Sequence, residues 1–315
     1  MRRNAAHAKS QSAMEYLMTY GWAILIIAVV LGALFQLGVF NASTFAPRAP
    51  PGACQVLRPN GPNTATYVNL EGVCSGELPQ YVTVFNLDFP TQATNYINLG
   101  TVLNKYEMGT NPISFAVWYD LPFYSTSATT PNIWGDRLNG GSGQEGYGLE
   151  VVTGDRNSQF GNPIGSISIE RDFSGTYTYI NNGKALTVGW HFLVVTYDGS
   201  TLSLYVDGVP TSSASTGAIS AYSIMAIGAS GEGSTVTNYG YGMVANFQVY
   251  NTSLSDPEVN ALYDEGIGGA PLKLQNLVGW WPLNGNTNDY SGNNNNGVPS
   301  GVTYTSQWTS DYTPP

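Results

Sequence analysis

Charge is scarce in this sequence: Asp, Glu, Lys and Arg make up 10% of its 315 residues, against roughly a quarter in ordinary soluble domains. Metal-ligating side chains are scarcer still, with two His and two Cys. That excludes multi-ligand zinc, haem-attachment and iron–sulfur motifs. Basic residues are outnumbered, 11 Lys and Arg against 21 Asp and Glu, for a net charge of −10. Such a surface repels phosphate and speaks against a nucleic-acid partner. No Gly-x-Ser-x-Gly elbow, phosphate loop or dinucleotide fingerprint appears. What the chain has instead is 37 Gly, 18 Pro and 21 Tyr. With so few Lys and Glu, it cannot be mostly helical. Its length predicts one large β domain with appendages, or two domains.

Only one long apolar run exists, from Trp22 to Phe35 and on, past Gln36, to Phe40. At roughly 1.5 Å per residue such a helix nearly spans a ~30 Å hydrocarbon layer. Arg2, Arg3 and Lys9 precede it. Thr44-Phe45-Ala46 is the one small-x-small string nearby for conventional cleavage. The string Lys9-Ser10-Gln11-Ser12-Ala13-Met14-Glu15-Tyr16-Leu17 resembles the class III signal peptide of archaeal type IV pilin-like proteins. The resemblance implies a cut between Ser10 and Gln11 and a retained hydrophobic helix. Glu15 becomes the fifth mature residue. A carboxylate at the head of an apolar helix is costly in lipid unless it meets a cation, and the new α-amino group of Gln11 supplies one. The plainer alternative is a simple membrane anchor with Glu15 in the headgroup zone.

Asn41 to Pro62 reads as a linker, holding five prolines and no apolar periodicity. Cys54 and Cys74 are the two cysteines. Outside a cell they are expected to form one disulfide, worth up to ~3 kcal/mol for a loop of this size. Asn41-Ala42-Ser43 and Asn251-Thr252-Ser253 are glycosylation sequons.

From Tyr81 onward, short β-type runs alternate with turn residues, the pattern of a sandwich. Phe192 to Tyr197, Asp198-Gly199, Leu202 to Val206 and Asp207-Gly208 predict a hairpin with Asp-Gly turns. Ser255-Asp256-Pro257-Glu258 predicts a capped helix that turns Val259 and Leu262 inward. The string from Gly189-Trp190-His191 through Asp207-Gly208-Val209 resembles the central hairpin of laminin G-like, concanavalin A-like sandwich domains. Gly242 to Asn251 with Leu254-Ser255, Glu258 and Ala261-Leu262-Tyr263 is similar to that family's last strand and closing helix. The resemblance implies two antiparallel, jelly-roll-type sheets with a concave face that often binds carbohydrate.

On that face Tyr119, Trp134 and Tyr147 are candidate sugar-stacking residues, and Trp118 lies in the same region; core packing is the safer reading for Trp118. Asp289, Asn293 and Asn295, in the run Asn288 to Gly297, offer oxygens on a tight loop. That chemistry suits Ca²⁺, which laminin G-like domains often hold, although an Asn-rich turn also stands without an ion. Glu170-Arg171-Asp172-Phe173-Ser174-Gly175 is the nearest match to the Glu-x-Asp-x-x-Glu strand of related glycoside hydrolases. It lacks the last acid and reads as a solvated strand end. His191 has no nearby nucleophile and reads as structural. The chain is therefore not expected to be an enzyme.

Leu277 to Gly297 looks like the first strand and loop of a laminin G-like domain, yet follows the closing helix. A second copy, donation to a neighbouring subunit and a permuted strand compete. The exposed cost of Trp280-Trp281 favours pairing of Val278 to Leu283 within its own chain. The expected organisation is a leader at 1–10, a hydrophobic pilin-type helix at 11–40 and a Pro-rich stalk at 41–80. A mainly β, concanavalin A-like sandwich follows at 81–312, with 277–312 as the permuted first strand. The expected role is a surface-exposed subunit, held by the membrane or by copies of itself in a filament, that displays the sandwich to glycans for adhesion. A purely structural filament protein and a secreted carbohydrate-active enzyme are the alternatives.

Overall fold

A computed structural model describes residues 20–31, the backbone of 55–59 and 65–69, and residues 78–315 with breaks at 90–93, 102, 108, 139–144, 174–175, 219–222 and 314. The chain divides into two compact units, Met1–Val68 and Asn69–Pro315. In the first, 20–31 form a helix, α1, whose Trp22, Ile24, Leu25, Ile26 and Ile27 are exposed. Among the described residues no helix is long and apolar enough to cross a membrane. Strands β1 (Gln55–Pro59) and β2 (Ala65–Asn69) form a two-stranded sheet. Ser10, Gln11, Glu15, Cys54 and Cys74 lie outside the described residues.

The second unit holds, in order, β3 (Val82–Val84), β4 (Tyr96–Gly100), α2 (Asn104–Glu107), β5 (Ile113–Leu121), β6 (Asn132–Leu138), β7 (Glu145–Val151), α3 (Gly154–Phe160), β8 (Ile167–Phe173) and β9 (Thr176–Asn181). Then come β10 (Gly189–Tyr197), β11 (Thr201–Val206), β12 (Val209–Ser215), β13 (Met225–Ile227), β14 (Ser230–Glu232), β15 (Thr235–Thr237), β16 (Met243–Tyr250), α4 (Asp256–Asp264), β17 (Leu277–Trp281), β18 (Val298–Ser300) and β19 (Thr303–Thr305). One sheet has the order β12-β11-β10-β5-β16-β3-β19, with β17 also on β16. The other runs β18-β4-β13-β6-β7-β8-β9, with β14 and β15 beside β6. Pairing is antiparallel throughout, apart from β14 on β6 and a single bridge between Asn86 and Tyr241. The result is the expected mainly β sandwich.

Period-two alternation decides which side chains meet between the sheets. In β5 the inward set is Ile113, Phe115, Val117, Tyr119 and Leu121; it packs with Trp134, Tyr147, Leu149 and Ile169 of the other sheet. Ser114, Ala116, Trp118 and Asp120 point the opposite way, where Tyr263 of α4 and Tyr312 cover Trp118. Every residue of β5 is therefore buried. The predicted hairpin of β10 and β11 forms, with Leu193 opposite Val206 and Tyr197 opposite Leu202. At the next turn Asp207 (φ +51°) and Gly208 (φ +78°) are both left-handed, which a two-residue type I′ turn requires. Ser255 caps α4, its backbone N–H donating to the Glu258 carboxylate at 2.9 Å.

The C-terminal segment completes both sheets of its own chain. β17 runs antiparallel to β16, with Phe247 opposite Trp281 and Gln248 opposite Trp280. β18 extends the other sheet beyond β4, and β19 pairs with β3. Both tryptophans are buried. Asn246, left-handed at φ +53°, fastens this junction. Its Oδ1 accepts the Trp280 indole N–H at 2.8 Å, and its Nδ2 donates to the Gly269 carbonyl at 2.8 Å.

Candidate functional site

The three expected sugar platforms are core residues. Tyr119, Trp134 and Tyr147 are each 0% exposed. Trp134 stacks on Phe115 with ring centroids 4.4 Å apart, and the Arg171 guanidinium lies over the Tyr147 ring. The Tyr119 hydroxyl donates to the Tyr241 carbonyl at 2.9 Å. In β5 alternation could not say which face turns inward, because aromatic residues occupy both; β6 and β7 carry one aromatic each, Trp134 and Tyr147, among glycine and polar residues. In this structure no sugar ring reaches them.

The loop from Asn288 to Gly297 does not fit Ca²⁺ as a free ligand set. Asp289 Oδ1 accepts the backbone N–H groups of Trp280 and Ser291, both at 2.9 Å. Its Oδ2 accepts the Ser291 hydroxyl at 2.9 Å and the Asn295 N–H at 2.8 Å. Asn293 and Asn295 turn their amide N–H groups onto the Val278 carbonyl. The carboxylate is committed to four donors, so the cluster knots this loop to β17. Among the described residues no group of three His, Cys, Asp or Glu side chains could hold a metal ion.

Glu170 is not a solvated strand end. It is 1% exposed and meets Arg137 at 2.9 Å. The pair bridges β6 and β8 across β7, where Gly148 lies in register with Glu170 and Gly146 with Arg137. A Cβ on Gly148 would come within 2.8 Å of the Asn132 amide nitrogen, so glycine is what lets polar side chains lie over this strand. Glu150, opposite Asn132, is buried on the same outer face. The end of α3 and the turn after it reach this face: Phe160 stacks on Tyr179 at 4.6 Å, and Asn162 donates to the Tyr179 hydroxyl. His191 is structural, held by Asp207 at 2.8 Å and the Thr187 carbonyl at 2.9 Å.

The open recess is elsewhere, at the rim of the sandwich where three connections converge. It has a volume of about 240 Å³ and is lined by Asn86 and Phe89, by Thr129 and Thr130, and by Asn238 and Tyr239. The first pair follows β3, the second precedes β6, and the third lies between β15 and β16. Tyr241 stacks with Phe89 at 4.6 Å and with Phe123 at 5.1 Å, giving the Phe89 ring a rigid backing. Asn238 adopts φ +50°, a left-handed conformation that Asn tolerates better than most residues. Its carbonyl accepts the Asn132 N–H at 3.0 Å, anchoring the turn to β6. Its amide is held at both ends, Oδ1 accepting from the Thr130 hydroxyl and Nδ2 donating to Glu232, each at 3.4 Å. The Tyr239 hydroxyl donates to the Val236 carbonyl at 2.9 Å. Burial and the nearby Tyr96 raise its pKa above the ordinary tyrosine value, so it stays protonated. Phe89 is largely buried, 9% exposed, so the half-buried Tyr239 ring is the main stacking surface for an apolar ring face. The Phe89 ring lies in the same lining, with amides and hydroxyls to hydrogen-bond the substituents of such a ring. These loop residues belong to no motif. The one hint is Asn238-Tyr239-Gly240-Tyr241-Gly242, where glycines bracket aromatic residues.

Residues 91–260 match the family described as the concanavalin A-like lectin/glucanases superfamily. The chain belongs to this superfamily. Among solved structures, a Bacteroides ovatus protein provisionally named as carbohydrate-binding is 14% identical, with a TM-score of 0.51. The match covers 77% of this chain and 66% of that one, so the chain spans just under two thirds of its length. A heptameric SAP-like pentraxin of Limulus polyphemus is 12% identical, with a TM-score of 0.47 over 72% of this chain and 94% of that one. The CBM40 of a Ruminococcus gnavus IT-sialidase is 12% identical, with a TM-score of 0.41 over 58% and 98%. No curated protein matches the chain. The likeness to the Bacteroides ovatus protein agrees with the sandwich fold of the superfamily.

Proposed function

We propose that this chain is a cell-surface subunit whose lectin-like sandwich binds carbohydrate at the rim recess. The observation that carries the reading is the lining itself: Phe89 and Tyr239 rings beside the side chains of Asn86, Asn238, Thr129 and Thr130. Membership of a superfamily that includes lectins supports it, as does the name of the Bacteroides ovatus protein. Binding rather than catalysis is supported by the state of Glu170 and Glu150, both 1% exposed, with Glu170 spent on Arg137. Neither is placed to act on a sugar in solvent.

Display at the surface rests on the N-terminal segment. Helix α1 exposes apolar side chains along its length, and the string from Gln11 to Leu17 precedes it. In this reading the mature chain begins at Gln11, and its helix anchors in the membrane or packs against copies of itself in a filament. A glycan array probed with the full chain in mild detergent tests the binding half; a silent array rejects it. N-terminal sequencing of native protein tests the other half. A start at Met1 or near Phe45 rejects pilin-like processing.

A further inference from the structure

We infer that the rim recess takes one uncharged sugar residue at a chain end, with Asn238 as the side chain that sets its specificity. The inference rests on the carbohydrate reading above and narrows it. Size comes first: about 240 Å³ falls below the roughly 300 Å³ at which pockets for drug-sized ligands begin, leaving room for one ring. Shape follows from the walls. Three separate connections line the recess, and a single-ring recess at their meeting point suits the end of a chain, whereas an internal residue needs a groove open at both ends.

Charge decides the class. Among the described residues no Lys or Arg lines the recess. One ionisable partner of the lining is acidic: Glu232 accepts from Asn238 Nδ2 at 3.4 Å. A uronic or sialic acid would bring its carboxylate toward an amide that already faces Glu232, with no Lys or Arg among the described lining residues to meet it, on a chain of net charge −10. A neutral hydroxyl meets no such cost. The Asn238 side chain is also fixed from two sides, by Thr130 and Glu232. Its amide is therefore oriented before a ligand arrives, the condition under which a hydrogen-bonding site rejects an analogue lacking the matching group. Among the described residues the lining contains amides and hydroxyls but no carboxylate, so the proposed recognition needs no calcium.

Isothermal titration of the full chain in mild detergent, in EDTA, tests this with methyl glycosides of neutral hexoses and N-acetylhexosamines. Their uronic-acid counterparts and methyl sialoside serve as charged probes. At least one neutral glycoside is expected to bind, with its uronate roughly 10-fold or more weaker. Asn238→Gly keeps the left-handed turn while deleting the amide. It should weaken that binding roughly 10-fold, the worth of one well-placed hydrogen bond, at an unchanged melting temperature. Thr130→Val should weaken it less. A uronate or sialoside that binds as tightly as the neutral form overturns the charge argument and leaves the carbohydrate reading standing. Binding of longer oligosaccharides but of no monosaccharide overturns the one-residue claim alone. Silence toward every glycan, short or long, overturns both.

Discussion

Asp120 sits on the outer face of β5, opposite Trp190 of β10 and Met243 of β16. It is buried, and its Oδ1 meets no donor among the described residues. Burial pushes its pKa up from 3.8 to about 6; the charge of Asp311 adds to the shift and His191 opposes it. A carboxyl with a raised folded-state pKa contributes stability below its unfolded value, and that contribution is lost as pH rises through about 6. Asp120→Asn should therefore stabilise the protein at pH 8 by on the order of 2 kcal/mol and change little at pH 3.5. Urea unfolding at the two pH values checks this; an equal effect at both removes the titration argument. Asp289 is a carboxylate that the fold depends on, because its four accepted hydrogen bonds leave the Trp280 N–H dependent on it. Asp289→Ala should cost roughly 2–3 kcal/mol, while added Ca²⁺ should not move the wild-type melting temperature. A calcium-dependent rise of several degrees would contradict the loop-knot account. At this scale the sequence was partly legible. It pointed to the importance of Asp289 and its asparagines as a compact oxygen-rich loop, but not to which groups those oxygens serve. It could not separate Tyr119 as core from surface, since aromatic residues stand on both faces of β5, nor Trp134 and Tyr147, the lone aromatics of β6 and β7, which stand among glycines and polar residues.

Secondary-structure elements were read more reliably where turn chemistry is strict. Asp-Gly steps set the ends of β10 and β11, and the Ser255–Glu258 box starts α4, because few backbone conformations satisfy those residues. The Gly146 and Gly148 positions of β7 were silent in sequence; only the crossing of Arg137 to Glu170 shows why the strand needs them. The C-terminal elements carry the sharpest prediction at this scale. β17 brings Trp280 and Trp281 into burial on β16, and β19 covers β3. Removing all residues after Gln275 strips a strand from each of three positions and uncovers Phe247, which packs on Trp281. The truncated chain should aggregate or unfold, as read by circular dichroism and size-exclusion chromatography. A stable monomer with native β content would contradict the in-chain completion of the sheets.

For the whole molecule, the sandwich was foreseeable from alternating strands and a low charge density, whereas its recess was not. The recess forms from loops distant in sequence, at 86–89, 128–130 and 238–239, and no local pattern brings such segments together. Strand periodicity directed attention to a sheet face, yet the outer face of the sheet bearing β6 to β9 buries Arg137, Glu150 and Glu170. What recognises a ligand in this account is the end of the sandwich. The most direct test is an experimental structure of the full chain bound to a glycan that it retains in a binding screen. The account predicts a terminal sugar ring seated between Phe89 and Tyr239, with a hydroxyl on Asn238. A ring bound instead over β6 to β9, near Glu150 and Glu170, would contradict it.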